Sequence, residues 1–224
     1  MTNIDKALDY VADGMTVGLG SGKAAERFIR ALAAGGRHVR CVATSANSAG
    51  LATGLGLTVV TLDDVSHLDL TIDGADEVDP RINLIKGYGR ALVREKIVAA
   101  ASKHLVIVIG PEGVPEKLVP VLGARGKLPV EVLRFGLLVV RGKLEELGIP
   151  SIPVTRDDGE LFLSDNGNVI LNCKVGPIAD PVALERRITS IPGVVGTGLF
   201  LGMADAVLIQ NGDELEVRQK PAVG

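Results

Sequence analysis

The feature that most limits the fold is an alternation of short apolar runs and helical segments through the first half of the chain. Strands are predicted at residues 15–19, 38–43, 57–60, 67–72 and 104–109, and the helices between them at 24–34, 45–54 and 89–102. Strands that alternate with helices in this way pair in parallel, and the helices cover both faces of the sheet. The pattern therefore predicts an α/β domain around a parallel sheet.

The pattern changes after the loop at residues 110–127. Strands are predicted at 128–132, around 161–163 and 169–171, and at 194–199, with helices at 135–147 and after Asp180-Pro181. The segment Asp165-Asn-Gly-Asn168 is a strong hairpin signal. We predict a smaller α+β domain at 128–203 and a first domain at 1–127 to which 204–224 returns. Strands at 205–210 and 215–217 also fit an extension of the second sheet.

Composition and charge exclude several classes of protein. The net charge is −3 without a basic cluster, which argues against nucleic acid or an anionic membrane as a partner. The apolar run at 105–109 is far shorter than the roughly 18 residues that a membrane-spanning helix needs. Cys41 and Cys173 stand apart, as buried reduced thiols of a cytoplasmic protein do. The histidines are scattered, so we expect no metal and no cofactor; they are His38, His67 and His104.

A glycine-rich turn between the first predicted strand and helix is the first candidate binding site. The segment Gly18-Leu-Gly-Ser-Gly-Lys-Ala-Ala25 leaves backbone N–H groups open to an anion at a helix N-terminus. A Walker A loop is excluded because Ala24 follows Lys23 and Val17 stands where glycine is required. A dinucleotide loop fits only in part, since residues 41–48 contain no acidic residue for ribose hydroxyls. A sugar-phosphate cradle and a plain tight turn both remain open.

Two aspartates follow a predicted strand in the segment Thr71-Ile-Asp-Gly-Ala-Asp-Glu77. Asp73 and Asp76 would lie at the carboxyl edge of the sheet, where open α/β folds bind ligands. Aspartate and glycine are also common turn residues, so a solvated acidic turn is the alternative.

A lysine and a glutamate frame the third candidate, which begins at Lys86 and continues into a predicted helix. Glu95 lies three residues from Leu92 and Val98 and four from Ala91 and Ala99, which places it on an apolar helix face. Burial of a carboxylate raises its pKa, and a general base that works near neutral pH needs that shift. The alternative is an ordinary ion pair of Glu95 with Arg94 or Lys96.

The order of these segments resembles the type A family of ribose-5-phosphate isomerases. The resemblance spans nearly the whole chain and is carried by Val17-Gly-Leu-Gly-Ser-Gly22, Asp73-Gly-Ala-Asp-Glu77, Lys86-Gly-x-Gly89, Arg94-Glu-Lys-Ile97, Leu128-Pro-Val-Glu-Val132, Asp165-Asn-Gly-Asn-Val-Ile-Leu171 and Ile191-Pro-Gly-Val-Val195. It implies a Rossmann-like domain with an inserted ferredoxin-like lid, a homodimer or homotetramer in the cytoplasm, and metal-free interconversion of ribose 5-phosphate and ribulose 5-phosphate.

The resemblance also implies roles for individual residues. Glu95 matches the catalytic base, and Lys86 would stabilise the charge of an enediolate intermediate. Asp73 would assist opening of the furanose ring, and Asp76 would orient substrate hydroxyls. Residues expected to contact the substrate are Ser21, Gly22, Lys23, Ala24, Asp73, Gly74, Ala75, Asp76, Lys86, Gly87, Tyr88, Gly89 and Lys117.

The chain departs from the family pattern in the phosphate loop, at two glycine positions and around Lys117. The usual Thr-Gly-Ser-Thr loop is Ser21-Gly-Lys-Ala24 here, with two hydroxyls fewer and one cation more, and Tyr88 and Arg90 replace usual glycines. Lys117 matches the phosphate-binding lysine, although Gly110-Pro-Glu-Gly-Val-Pro-Glu-Lys117 replaces the usual Asp-x-x-Lys.

Two rival functions are separable from the sequence. A sugar-phosphate-binding regulatory module would need the phosphate cradle without the Lys86 and Glu95 pair, and is normally fused to a DNA-binding domain. The chain begins almost directly at a first predicted helix, in which Ile4, Ala7, Leu8 and Val11 recur at helical spacing, and this argues against that arrangement. A sugar-phosphate deaminase or a CoA-transferase-like enzyme would not carry the segments that begin at Asp73 and Lys86.

Overall fold

The computed structural model describes residues 1–110, 114 and 116–220. Its helices are α1 (Asn3–Leu8), α2 (Lys23–Ala34), α3 (Ala46–Gly54), α4 (Leu92–Ala100), α5 (Leu137–Glu146) and α6 (Pro181–Thr189). Its strands are β1 (Thr16–Leu19), β2 (Arg40–Ala43), β3 (Thr58–Val59), β4 (Leu70–Asp73), β5 (Glu77–Val78), β6 (Leu84–Ile85), β7 (Leu105–Ile109), β8 (Lys127–Val132), β9 (Ser151–Pro153), β10 (Val169–Lys174), β11 (Val194–Thr197), β12 (Leu199–Phe200), β13 (Ala206–Asn211) and β14 (Glu214–Gln219).

The largest sheet has seven strands in the order β14-β13-β7-β4-β1-β2-β3. All neighbours pair in parallel except the edge strand β14, which is antiparallel to β13. Strands β1, β4 and β7 are buried along their whole length, as expected of strands covered on both faces. The chain runs from β1 to β2 on one side and then returns to β4 on the other. The carboxyl ends of β1 and β4 therefore border the crevice in which such sheets bind ligands.

Two smaller sheets complete the molecule. An antiparallel sheet has the order β11-β8-β10-β9 and packs against α5 and α6, which bury Val140, Leu144 and Ile188 in its core. A three-stranded sheet has the order β12-β6-β5 and joins residues of the first sequence half to the segment that follows β11.

The predicted α/β class is confirmed, with differences in individual elements. The predicted strand at 161–163 makes only single bridges, from Leu161 to Thr155 and from Leu163 to Val169. The predicted strand at 194–199 is two strands in two sheets, because a bulge between Val194 and Gly196 precedes the turn into β12. The strands predicted at 205–210 and 215–217, which fitted either sheet, correspond to β13 and β14. Both belong to the seven-stranded sheet, since β13 pairs with the apolar β7.

The first predicted domain boundary falls at β8, and β13 and β14 lie in the sheet of the first domain. The division into 1–127 with 204–224 and 128–203 stays a prediction. Residues 111–113 and 115, part of the predicted loop at 110–127, lie outside the described residues.

We expect Gly198→Ala to destabilise the protein. A Cβ at this position would lie 2.2 Å from the carbonyl oxygen of Lys86, and a backbone atom cannot rotate away. Overpacking of this kind costs about 1–3 kcal/mol of unfolding free energy. Thermal denaturation measures the effect, and Gly54→Ala is the matched control because a Cβ in that helix meets no atom within 4 Å. Equal melting temperatures for the two variants would contradict the close approach.

Candidate active site

A cavity of about 240 Å³ lies where the glycine-rich turn, the strand ends and the N-terminus of α4 meet. It brings together residues from all three candidate segments and the more distant Lys117. The lining consists of Ser21, Gly22, Lys23, Ala24, Gly74, Ala75, Asp76, Lys86, Gly87, Gly89, Glu95 and Lys117. Of the residues expected to contact substrate, Asp73 and Tyr88 are not part of this lining.

Asp73 is the last residue of β4 and lies directly behind the cavity. Its Oδ1 accepts hydrogen bonds from the backbone N–H groups of Ser21 (3.1 Å) and Gly74 (2.7 Å). Gly20 makes room for this carboxylate, because a Cβ there would lie 2.1 Å from Oδ1. The glycine at position 20 is therefore needed to hold Asp73 against the turn.

Lys86 follows β6 and is almost completely buried. Its Nζ lies 2.9 Å from Asp73 Oδ2 and 3.3 Å from Glu95 Oε1, and donates to the carbonyl oxygen of Gly74 at 2.6 Å. Burial lowers the pKa of this ammonium, but the charges of Asp73 and Glu95 outweigh burial and leave the pKa above its ordinary value. Lys86 therefore carries a fixed positive charge at the cavity wall.

Glu95 lies in the first turn of α4, with only 4% of its surface exposed. Burial raises the pKa of its carboxyl to about 8, and the charges of Asp73 and Asp76 add to the rise against the opposing charge of Lys86. Its Oε2 has no hydrogen-bond partner among the residues that the structure describes. The free oxygen belongs to a side chain that lines the cavity, which is the arrangement of a group able to accept a proton.

Glu95 does not form the alternative ion pair with Arg94 or Lys96. Arg94 donates to the Asp165 carbonyl oxygen and to Asn166, and Lys96 pairs with Glu185. The two neighbours point to other elements because adjacent helix positions face different directions.

Asp76 faces the cavity from the loop before β5. Its Oδ2 accepts the backbone N–H of Tyr88 at 2.8 Å. Burial raises the pKa of the carboxyl, while this hydrogen bond and the charges of Lys86, Lys117 and Lys127 oppose the rise.

The turn before α2 also lines the cavity. Gly22 occupies the N-cap position with a φ of 88° and supplies no side-chain cap, so the first N–H groups of α2 are left for another acceptor. Lys23 is exposed beside them, and Lys117 lines the same cavity. The Ser21 hydroxyl bonds to the hydroxyls of Thr44 and Ser45.

Gly87 connects Lys86 to α4 through a backbone that other residues rarely adopt. Its φ is 104°, and a Cβ would lie 2.8 Å from the Cβ of Leu92. This glycine lets the lysine and the helix that carries Glu95 approach each other.

Sequence reasoning missed two supports of Lys86. The ring centroid of Phe200 lies 5.5 Å from its Nζ, within cation–π range, and the carbonyl oxygen of Gly198 accepts its backbone N–H at 2.9 Å. Both residues come from β12 and the turn before it, over a hundred positions away. A pairing of such short strands has no sequence signal.

No group of three or more His, Cys, Asp or Glu side chains among the described residues is arranged to hold a metal ion. In the same part of the chain, no helix has the length and apolar character needed to cross a bilayer.

Comparisons with known proteins agree with one another. Residues 40–214 match the family model described as ribose 5-phosphate isomerase A (phosphoriboisomerase A). The chain is 48% identical to the ribose-5-phosphate isomerase A of Roseiflexus castenholzii over 216 residues, which are 93% of this chain and 90% of that protein.

Two solved structures have the same fold over almost their whole length. Ribose 5-phosphate isomerase A of Methanocaldococcus jannaschii has a TM-score of 0.90 and 34% identity, over 98% of this chain and 97% of that one. A D-ribose-5-phosphate isomerase in complex with phospho-erythronic acid has a TM-score of 0.91 and 30% identity, over 97% and 96%. The chain therefore belongs to the ribose 5-phosphate isomerase A family and is an aldose–ketose isomerase.

Proposed function

We propose that Glu95 is the base with which this isomerase interconverts ribose 5-phosphate and ribulose 5-phosphate. The observation that carries the proposal is the free Oε2 of a buried carboxylate at the cavity, whose Oε1 is held by Lys86. In the open-chain aldose, the carboxylate removes the proton from C2, the C–H electron pair forms a C1–C2 double bond, and the C1 carbonyl π pair moves onto O1. O1 of this enediolate then takes up a proton, and the O2 hydroxyl gives one up. As the O2 electron pair forms the C2 carbonyl, the C1–C2 electron pair takes the proton back from Glu95 at C1 and gives the ketose, so one group on one face of the substrate serves both carbons.

Lys86 stabilises the charge that develops on the substrate oxygens during this transfer. Its ammonium is already oriented by Asp73, Glu95 and the Gly74 carbonyl oxygen, so little reorganisation is needed when the enediolate forms. The buried location strengthens this electrostatic contribution, because water does not screen it.

Asp73 and Asp76 have different roles in this reaction. Asp73 holds Lys86 and the turn from behind the cavity, with both carboxylate oxygens engaged. Asp76 lines the cavity and has a raised pKa, so this geometry favours Asp76 over Asp73 for contact with hydroxyls and for proton transfer in ring opening. The role that the sequence assigned to Asp73 shifts accordingly in our proposal.

The phosphate binds at the N-terminus of α2. The N–H groups that Gly22 leaves without a side-chain cap face an anion favourably, and the helix dipole adds to the attraction. Lys23 and Lys117, which line the same cavity, supply positive charge for it.

The assembly proposed is a homodimer or homotetramer in the cytoplasm. Exposed apolar side chains on and beside α5 support self-association, because surfaces of this kind are usually covered by another chain. They are Leu133, Phe135, Leu138 and Val139.

Glu95→Gln should abolish turnover of ribose 5-phosphate with little effect on its binding. Glutamine keeps the shape of the side chain but cannot accept the proton, and a general base contributes about 10²–10⁴-fold in rate. Steady-state formation of ribulose 5-phosphate measures the loss. The control is Glu145→Gln on the exposed part of α5. A Glu95→Gln variant that kept a tenth of the wild-type kcat would refute the assignment.

The pH dependence should follow the raised pKa of Glu95. Only the ionised carboxylate accepts a proton, and burial raises this pKa to about 8. We therefore expect kcat/KM to rise with pH through an apparent pKa far above that of an ordinary glutamate, in a profile measured from about pH 5 to about pH 10. A profile flat down to about pH 5 would be inconsistent with a buried base.

Lys23→Ser should weaken substrate binding without changing the chemical step. An exposed cation at the phosphate end adds an attraction that salt screens, so we expect KM to rise about two- to five-fold at low salt and less at high salt. Arg30→Ser is the matched control, since Arg30 is an exposed cation on the same helix. A KM equal to that of the control variant at every salt concentration would show that Lys23 does not reach the phosphate.

A further inference from the structure

Tyr88 interrupts the glycine-rich stretch after Lys86, yet its side chain does not line the catalytic cavity. Its ring lies against Lys127 at the start of β8, with the ammonium 3.6 Å from the ring centroid. Its hydroxyl donates to the carbonyl oxygen of the same Lys127 at 3.2 Å. One tyrosine therefore contacts both the side chain and the main chain of one lysine.

We propose that Tyr88 is a positioning residue, which holds the Lys127 ammonium beside Asp76 and so fixes this carboxylate for catalysis. The proposal rests on the proposed function of the cavity, in which Asp76 contacts the substrate. It differs from that function because it assigns a role to two side chains that do not reach the reacting atoms.

The backbone of Tyr88 explains only part of its role. Its N–H donates to Asp76 Oδ2, but a glycine at this position would supply the same donor. What the side chain adds is an aromatic face, which attracts a cation far more strongly than an aliphatic side chain does. The ring is therefore the part of Tyr88 that selects where Lys127 lies.

Lys127 in turn acts on Asp76 through its charge. Both groups contact Tyr88, since Asp76 Oδ2 accepts its backbone N–H and the Lys127 ammonium lies on its ring. The charge of Asp76 raises the pKa of Lys127 and the charge of Lys127 lowers the pKa of Asp76, although burial dominates both shifts in the opposite direction. A lysine released from the ring would move its ammonium into water, where its effect on the carboxylate is screened. The pKa of Asp76 would then rise, because burial disfavours the charged carboxylate and less positive charge would oppose that effect.

Other charged groups around Asp76 set the size of this effect. Lys86 and Lys117 also lower the pKa of Asp76, and the charge of Asp76 raises the pKa of Glu95. Arg125 donates to the main-chain carbonyl oxygen of Asp76 at 2.9 Å. Arg125 lies 5.4 Å from the Tyr88 ring centroid as a second cation on the same ring. Lys127 is one of several positive charges that act on Asp76, so we expect its removal to reduce activity and not to abolish it.

The contact also connects two parts of the molecule. Tyr88 lies between β6 and α4, in the loop that carries the cavity wall, whereas Lys127 begins the strand that pairs with β10 and β11. Holding Lys127 therefore also fixes the four-stranded sheet against the catalytic loop.

A double-mutant cycle tests the proposal on the intact enzyme. Tyr88→Leu removes the aromatic face, Lys127→Met removes the charge at similar length, and the double variant removes both. Each single variant should lower kcat/KM about 3- to 30-fold, and the double variant should be hardly worse than either. Tyr88→Phe keeps the ring and should restore most of the activity.

Matched controls separate positioning from general damage. Tyr10→Leu changes the other tyrosine, which packs against the first core, and Lys143→Met changes an exposed lysine of α5. Additive effects of Tyr88→Leu and Lys127→Met would overturn the proposal, and so would a Tyr88→Phe variant as impaired as Tyr88→Leu.

Failure of this proposal is distinguishable from failure of the proposed function. Glu95→Gln, measured in parallel, tests the base without involving Tyr88 or Lys127. If Glu95→Gln were active, the base assignment would fall while the coupling between the pair would still be read from the cycle. If the cycle showed no coupling and Glu95→Gln were inactive, only the role of Tyr88 would be lost.

Discussion

The buried contacts of one ammonium with two carboxylates are the interaction on which the site depends. Lys86 lies between Asp73 and Glu95, and all three side chains are almost fully removed from water. Removing one member would leave an uncompensated buried charge, which is far more costly than the pair itself is stabilising. The three residues come from β4, from the segment after β6 and from α4, so the position of each element is constrained by the same contacts.

Several glycines serve this arrangement by leaving space where a side chain would collide. Gly20 leaves room for the Asp73 carboxylate, Gly87 for Leu92 of α4, and Gly198 for the Lys86 carbonyl oxygen. All three collisions involve main-chain or Cβ atoms, which cannot move independently of the fold. The high glycine content of the chain is thus explained at the site by close approach of backbone segments, and not only by turns.

The positions that depart from the family pattern have acquired contacts of their own. Arg90 has a left-handed backbone with a φ of 71°, which explains why glycine is usual there. Its guanidinium lies 4.5 Å from the centroid of the Phe162 ring, a cation–π contact that opposes the conformational cost. Tyr88 likewise faces Lys127. In both cases a larger residue in the catalytic loop contacts the segments around the four-stranded sheet.

The sequence by itself determined the fold class, the family and a set of candidate site residues. Strand-and-helix alternation predicts the parallel sheet, and local motifs identify Asp73, Asp76, Lys86 and Glu95, because each motif is a short stretch with its own signal. Only the tertiary structure decided which of these groups touch. It paired Glu95 with Lys86 and not with its sequence neighbours, placed Asp73 behind the cavity, and brought Phe200 and Lys127 to the catalytic loop. Such contacts join residues far apart in the chain, and their geometry depends on the packing of whole elements, which no local pattern encodes.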